Sequence, residues 1–193
     1  MYAILEKTAR QYKRLNTRCE ALSVPRTRQV LCVDIARQRL SLFEGESLQH
    51  TYIVSTSRRP PSCIEESLGT PLGLHRIAQK IGDGSPVGTV FRGRVSIGQT
   101  WQELAASEAA ENCITSRILW LEGLQDGHNR GPGRDTFKRY IYLHGTNQHE
   151  RLGQPNSHGC ILLSDADIIE LHDRLEVGTL VWIDLGNDAE PRG

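Results

Sequence analysis

The sequence predicts a mainly β domain with some α. Three observations carry that prediction: apolar residues alternate with a period of two from Gln29 onward, Gly and Pro punctuate those runs at short intervals, and helical spacing occurs over only a few stretches. At 193 residues the chain is long enough to bury one sizeable core without help from disulfides. The expected organisation is an N-terminal helical segment over 1–25, a single catalytic-sized domain over 29–183, and a polar, frayed tail over 184–193.

The first segment places Leu5, Tyr12, Leu15, Cys19 and Leu22 at helical spacings, with Lys7, Arg10, Lys13, Arg14 and Arg18 between them. That is an amphipathic helix closed by the turn at Pro25, and its low hydrophobicity favours packing against the domain over lying on a membrane. Val30–Ile35, Leu40–Phe43 and His50–Val54 then read as strands, the last two joined by a hairpin at Glu44-Gly45-Glu46. A polar, Pro-containing loop from Ser55 to Ser67 leads to a strand over Gly69–Ile77. The stretch from Gly82 to Asn112 mixes Gly, polar residues and a helical pattern over Trp101–Ala110, which predicts an excursion from the sheet. Ser116–Leu121 and Arg139–Leu143 are the next strands, separated by a long Gly-rich, charged loop of a kind that often carries function. Ser164-Asp165-Ala166-Asp167 starts a helix with Ile168, Ile169, Leu171 and Leu175 on one face, and Val177–Ile183 closes the domain as a strand.

Twenty-three basic residues balance 23 acidic ones, so the composition offers no general attraction for nucleic acid or anionic membrane. Short clusters such as Arg26-Thr27-Arg28 and Arg58-Arg59 read as solvated surface. The five cysteines are odd in number and lack CxxC spacing, which argues against a disulfide framework and a structural zinc site. Neither a signal-peptide core after Met1 nor an apolar run long enough to span a bilayer is present, so a chain that truly starts at Met1 is expected in the cytoplasm. A trimmed one would belong in the periplasm.

One constellation carries chemistry: Ser157-His158-Gly159-Cys160, with His144-Gly145-Thr146 upstream. A thiol near pH 7 is only a few per cent ionised, so a catalytic Cys needs a base and a bare backbone that can bind an oxyanion. His144 at a strand end is placed to take the Cys160 proton. The Gly145 carbonyl is expected to fix the imidazole tautomer, and the amides near Gly159 and Cys160 to form the oxyanion hole. His158 is expected to orient the turn or stabilise charge. Cys19, Cys32, Cys63 and Cys113 read as small buried residues, since none has His and Gly beside it. A zinc site on His144, His149, His158 and Cys160 is the alternative, but it lacks paired-ligand spacing; no metal or other cofactor is expected.

The HGT element (His144–Thr146) and SHGC followed by an aliphatic residue (Ser157–Ile161) resemble the L,D-transpeptidase catalytic domain, also called the YkuD-type domain. The resemblance extends over about Gln29 to Ile183. It includes the opening Arg39-Leu-x-Leu-Phe-x-Gly hairpin, the Gly-Thr-Pro-x-Gly element at Gly69–Gly73, Arg117–Leu121, Asn129-Arg130-Gly131, and Asp135-Thr136 before Arg139–Tyr142. It implies a mixed-sheet, sandwich- or barrel-like domain with Cys160 as nucleophile. The implied partner is the peptidoglycan stem peptide or muropeptide, attacked between the L-centre of meso-diaminopimelate and D-Ala, with Ser157, Thr146, Asn129, Arg130 and Arg139 as substrate-binding positions. Family members commonly carry Arg two residues after the cysteine, where this chain has Leu162, so Arg130, Arg139 or Arg76 is expected to supply the cation. With water as acceptor the enzyme is an L,D-carboxypeptidase that trims tetrapeptide muropeptides to tripeptides. The alternatives are an exported transpeptidase forming 3-3 cross-links and an inactive stem-peptide-binding module.

Overall fold

The computed structural model describes residues 2–186, so the expected tail beyond Gly186 lies outside the described residues. Helix α1 (Tyr2–Ala21) is followed by strands β1 (Gln29–Asp34), β2 (Arg39–Glu44), β3 (Ser47–Ile53), β4 (Gly73–Ile81), β5 (Thr89–Arg92) and β6 (Val95–Thr100). A 3-10 turn (Trp101–Glu103) and the one-turn helix α2 (Ala106–Ala109) lead into β7 (Ile114–Gly123) and β8 (Tyr142–Gly145). After a second 3-10 turn (His149–Arg151) come β9 (Ile161–Leu163), α3 (Asp165–Arg174) and β10 (Leu180–Asp184).

The strands form one mixed sheet in the order β3-β2-β1-β10-β4-β7-β5-β6, with β8 branching from β7 and β9 added to β8. The β1–β10 and β8–β9 pairs are parallel, and the others are antiparallel. Both faces of the central strands are covered, so β1 and β10 read as nearly continuous apolar runs whose alternate residues serve opposite faces. On β1, Val30 and Cys32 join Leu74, Leu180 and Trp182 beneath Tyr12, Leu15 and Cys19 of α1. Leu31 and Val33 point the other way, into the core shared with Leu143, Ile161 and the Ile168, Leu171 and Leu175 face of α3. Helix α1 is pinned as well as packed: Gln11 Nε2 donates to the Val33 carbonyl and to Asp184 Oδ1, both at 2.8 Å, and Arg14 Nη2 lies 2.8 Å from Asp184 Oδ2. The basic face of this helix is therefore partly spent on Asp184, which ends β10 in place of opening a frayed tail. The side chains of Leu5 and Lys7 lie outside the described ones.

Two further expectations change. Only the later part of the stretch from Gly82 to Asn112 leaves the sheet, as the 3-10 turn at Trp101–Glu103 and α2; before it, β5 pairs with β7 and β6 with β5, so this part extends the sheet as a hairpin. The pattern of β5 is short, with Thr89, Val90 and Phe91 buried in a row, and Gly88, Gly93 and Gly98, all at positive φ, interrupt the flanking sequence. The segment expected as a strand from Arg139 starts pairing only at Tyr142, because Tyr140 adopts φ 56° and forms a turn.

Candidate active site

Strand β7 sets the position of the site. Its residues Thr115–Trp120 pair with β8, which carries His144 and Gly145, and β8 pairs in parallel with β9, the strand that follows Cys160. Side chains at the end of β8 and the start of β9 thus meet at one place. They open into a cleft of about 500 Å³ lined by Cys160, His144, His158, Ser157 and Leu162 on the sheet side and by Ala110, Glu111, Asn112 and Ile114 on the other. The Gly82–Asn112 segment therefore supplies a wall of the cleft.

Each catalytic group is locally fixed. His144 is 4% exposed, and its Nδ1 donates to the Gly145 carbonyl at 2.8 Å, which selects the tautomer with Nε2 free to accept a proton. Gly145 is required for packing: a Cβ there would lie 2.6 Å from Thr115 Oγ1 and 2.7 Å from the Thr115 carbonyl oxygen. In the nucleophile turn, Ser157 Oγ donates to the Cys160 carbonyl at 2.6 Å and accepts the Gly159 amide at 3.2 Å. Gly159 adopts φ 126°, a conformation that side-chain-bearing residues rarely reach. Ser157 thus occupies the Gly159 amide, one of the two amides expected to bind an oxyanion. Ser157 itself braces the turn from a buried position.

The electrostatics describe a neutral resting pair. Burial pushes the His144 imidazole down to about 4, only partly offset by the Gly145 carbonyl. Burial also pushes the Cys160 thiol up to about 11, against lowering contributions from the Tyr142 backbone and the Arg139 guanidinium. The thiol of Cys160, a half-buried residue lining the cleft, donates to the Tyr140 carbonyl at 3.5 Å.

A family model of the L,D-transpeptidase catalytic domain (YkuD) matches residues 28–183. The chain belongs to this family. Solved structures agree in fold. An L,D-transpeptidase from Mycobacterium smegmatis is 15% identical, with a TM-score of 0.51, over 81% of this chain and 58% of that one. One from Xylanimonas cellulosilytica is 17% identical, with a TM-score of 0.51, over 83% of this chain and 62% of that one. L,D-transpeptidase 3 from Mycobacterium tuberculosis, in complex with a faropenem-derived adduct, is 14% identical, with a TM-score of 0.51, over 81% of this chain and 60% of that one. This chain spans less than two thirds of each of those chains. No curated protein matches it.

Against this L,D-transpeptidase framework, several residues expected to bind substrate sit elsewhere. Asn129 is buried, with Nδ2 donating to the Leu72 and Leu74 carbonyls, so it pins the long loop to β4. Arg130 pairs with Asp126 at 3.5 Å beside a separate small hollow. Arg139 donates to the Ser62 and Gly69 carbonyls at 3.0 and 2.8 Å and holds the 62–69 loop. Arg76 is paired with Glu122. Thr146 is fully buried, and its hydroxyl donates to Asn112 Oδ1 at 2.7 Å, which makes it a brace for the far wall.

Conversely, Arg58, Gln148 and Arg151 line the cleft. Arg58 was read as surface because an Arg-Arg pair carries no positional signal, and nothing in the sequence marks Arg151. Behind Gly145, the buried Asp165 accepts from Thr115 Oγ1 (2.6 Å) and Trp101 Nε1 (3.2 Å), and His149 Nε2 lies 3.3 Å away. His149 thus joins a carboxylate network and not the Cys160 cluster. Cys19 and Cys32 are buried as expected, but Cys63 and Cys113 are only half-buried, and the Cys63 sulfur lies 3.8 Å from His128 Nε2. Among the described residues, Asp83, His172 and Asp173 form the group with metal-ligand proximity; none of them lines the cleft.

Proposed function

We propose that this L,D-transpeptidase-family chain is an L,D-carboxypeptidase of peptidoglycan stem peptides, cleaving the bond between meso-diaminopimelate and a terminal D-Ala. The observation that carries the reading is the placement of Cys160 and His144 in one cleft, with the imidazole held by the Gly145 carbonyl so that Nε2 is the free acceptor. The thiol proton passes to Nε2 as Sγ bonds the scissile carbonyl carbon, and the Cys160 amide donates to the oxyanion. As the intermediate collapses, the C–N bond breaks and the imidazolium protonates the departing D-Ala amine. Water then attacks the thioester with His144 as base, the C–S bond breaks, and the thiol is restored. Water as acceptor is supported by the partial exposure of Cys160 on the cleft floor. Five free thiols suit a reducing compartment, and we place the reaction in the cytoplasm on soluble muropeptides; cell fractionation of the native protein tests this.

A second reading, cross-linking of two stems, is favoured by a neighbouring hollow of about 600 Å³ lined by Phe91, Arg92 and Glu108, which shares Glu111, Asn112 and Ile114 with the cleft. Incubation with a disaccharide-tetrapeptide separates the two. Tripeptide and free D-Ala are expected, and cross-linked dimer without tripeptide would replace the hydrolase with a transpeptidase. Cys160→Ala is expected to abolish turnover while sparing binding. Turnover unchanged in that variant would overturn the assignment of the nucleophile, and wild-type binding without turnover would leave a stem-peptide-binding module.

A further inference from the structure

With Leu162 in place of the family's usual arginine, the cleft needs another cation if its substrate ends in a carboxylate. Arg76 and Arg130 are each paired with an acidic side chain, and Arg139 is committed to loop carbonyls. Two other arginines face the cleft itself. Arg58 Nη2 donates to the neutral Asn156 Oδ1 at 2.6 Å, a contact that positions the guanidinium without cancelling its charge. The nearest acid to Arg151 is Glu150, 3.7 Å from Nε; both groups are more than half exposed, so solvent screens the pair.

The backbone ties both arginines to the nucleophile turn. The Arg58 amide donates to the Ser157 carbonyl at 3.2 Å, and Ser57 bridges to Ser157, three residues before Cys160. The Arg151 carbonyl accepts the Ser55 hydroxyl at 3.1 Å, and the Gly153 amide donates to the Val54 carbonyl at 3.1 Å. Segments 54–58 and 151–157 are thus stitched together, with one arginine on each, next to the catalytic cysteine. Glu111 stands on the opposite wall, so the cleft is positive on its Arg58–Arg151 side and negative across from it.

We propose that Arg58 and Arg151 form the carboxylate-reading subsite of this cleft, selecting short peptides with a free C-terminal carboxylate just beyond the scissile bond. Guanidinium groups suit this role because they stay charged and donate two parallel hydrogen bonds to a carboxylate. The inference rests on the carboxypeptidase reading for the identity of the peptide but not for the chemistry of the subsite. It assigns the grip to residues on the 54–58 and 151–157 segments and not to the strand after the nucleophile. It also predicts that a stem whose last carboxylate is amidated or extended is poorly held.

Binding separates this proposal from the reaction. In a Cys160→Ala background, titration calorimetry compares a disaccharide-tetrapeptide ending in free D-Ala with the same peptide as its C-terminal carboxamide. The acid is expected to bind about 10- to 100-fold more tightly, as charge-assisted hydrogen bonds imply. Arg58→Gln and Arg151→Gln should each reduce that ratio, and the double substitution should bring it near one. Equal affinity for acid and amide without the substitutions, or a ratio that survives in the double variant, would overturn the subsite. Loss of the ratio in the double variant alongside a wild-type enzyme that releases no D-Ala would uphold the subsite and remove the carboxypeptidase reading.

Discussion

Replacing Gly145 with Ala probes the site at its tightest point. The added Cβ would sit 2.6 Å from Thr115 Oγ1, 2.7 Å from the Thr115 carbonyl oxygen and 2.9 Å from Asp165 Oδ1. None of these has an easy escape, because Thr115 is paired to Val90 on one side and to Gly145 on the other, and its hydroxyl is held by Asp165. Restoring ordinary contact with the carbonyl oxygen requires about 0.7 Å of separation, which a crowded interior yields at a cost of about 1–3 kcal/mol. The same displacement moves the Gly145 carbonyl away from His144 Nδ1, now 2.8 Å distant, and releases the imidazole from its tautomer. A misplacement of this size in a positioned base costs about 100-fold in rate. The assay is urea unfolding beside kcat/KM for tetrapeptide hydrolysis. A variant that keeps wild-type stability and a rate within about twofold would refute the claim that this carbonyl positions the base, since the loss is derived from catalytic positioning.

Stability should fall with acid. His144 and His75 are held neutral by burial, at about 4 and about 3 against the ordinary 6.5, so their stabilisation is complete above pH 6.5 and is lost as the pH drops through the folded values. The linkage for His144 alone is about 3 kcal/mol, and a urea midpoint flat from pH 7 to 4.5 would contradict it. Alkylation of Cys160 in the free enzyme should be slow at pH 7.5 and rise only well into alkali, because burial raises the thiol; fast alkylation with a plateau near pH 6–7 would instead reveal a thiolate–imidazolium pair. Asp165→Asn should cost about 1–3 kcal/mol, since the Thr115 hydroxyl and the Trp101 indole donate to different carboxylate oxygens and the asparagine NH2 replaces one of those two acceptors with a donor; an unchanged unfolding midpoint would contradict the network.

The parts of this protein legible in its sequence are those fixed by local chemistry. β1 and β10 show as short apolar runs because each residue must be apolar for one face or the other, and Ser164 announces α3 by accepting the Asp167 amide at 3.1 Å. The SHGC turn is legible because Ser157, Gly159 and Cys160 solve a single local problem. Relations across the chain are not. Nothing near Arg58 records that its amide will meet Ser157, about 100 residues later, and nothing near Asn129 or Arg139 distinguishes a loop pin from a substrate contact. The β5–β6 hairpin was hidden for a simpler reason: β6 is a largely exposed edge strand with little apolar pattern to display.

The far wall of the cleft is fastened at its base. Cys113 N donates to Asn147 Oδ1, Asn147 Nδ2 to the Glu111 carbonyl, and Gln148 Nε2 to the Ala110 carbonyl, so residues 110–113 are sewn to the three that follow the catalytic His144 and its glycine. The gape of the cleft is therefore decided within a few residues of the base, and the hairpin upstream is fastened separately, through Phe91 packed on Ile118 and Trp120 and through the pairing of β5 with β7. Its tip is a hasp as well: Arg94 donates to the Tyr142 hydroxyl at 3.2 Å and lies over the Trp120 and Tyr140 rings, so a change of length there would tug on the segment whose Tyr140 carbonyl meets the Cys160 thiol.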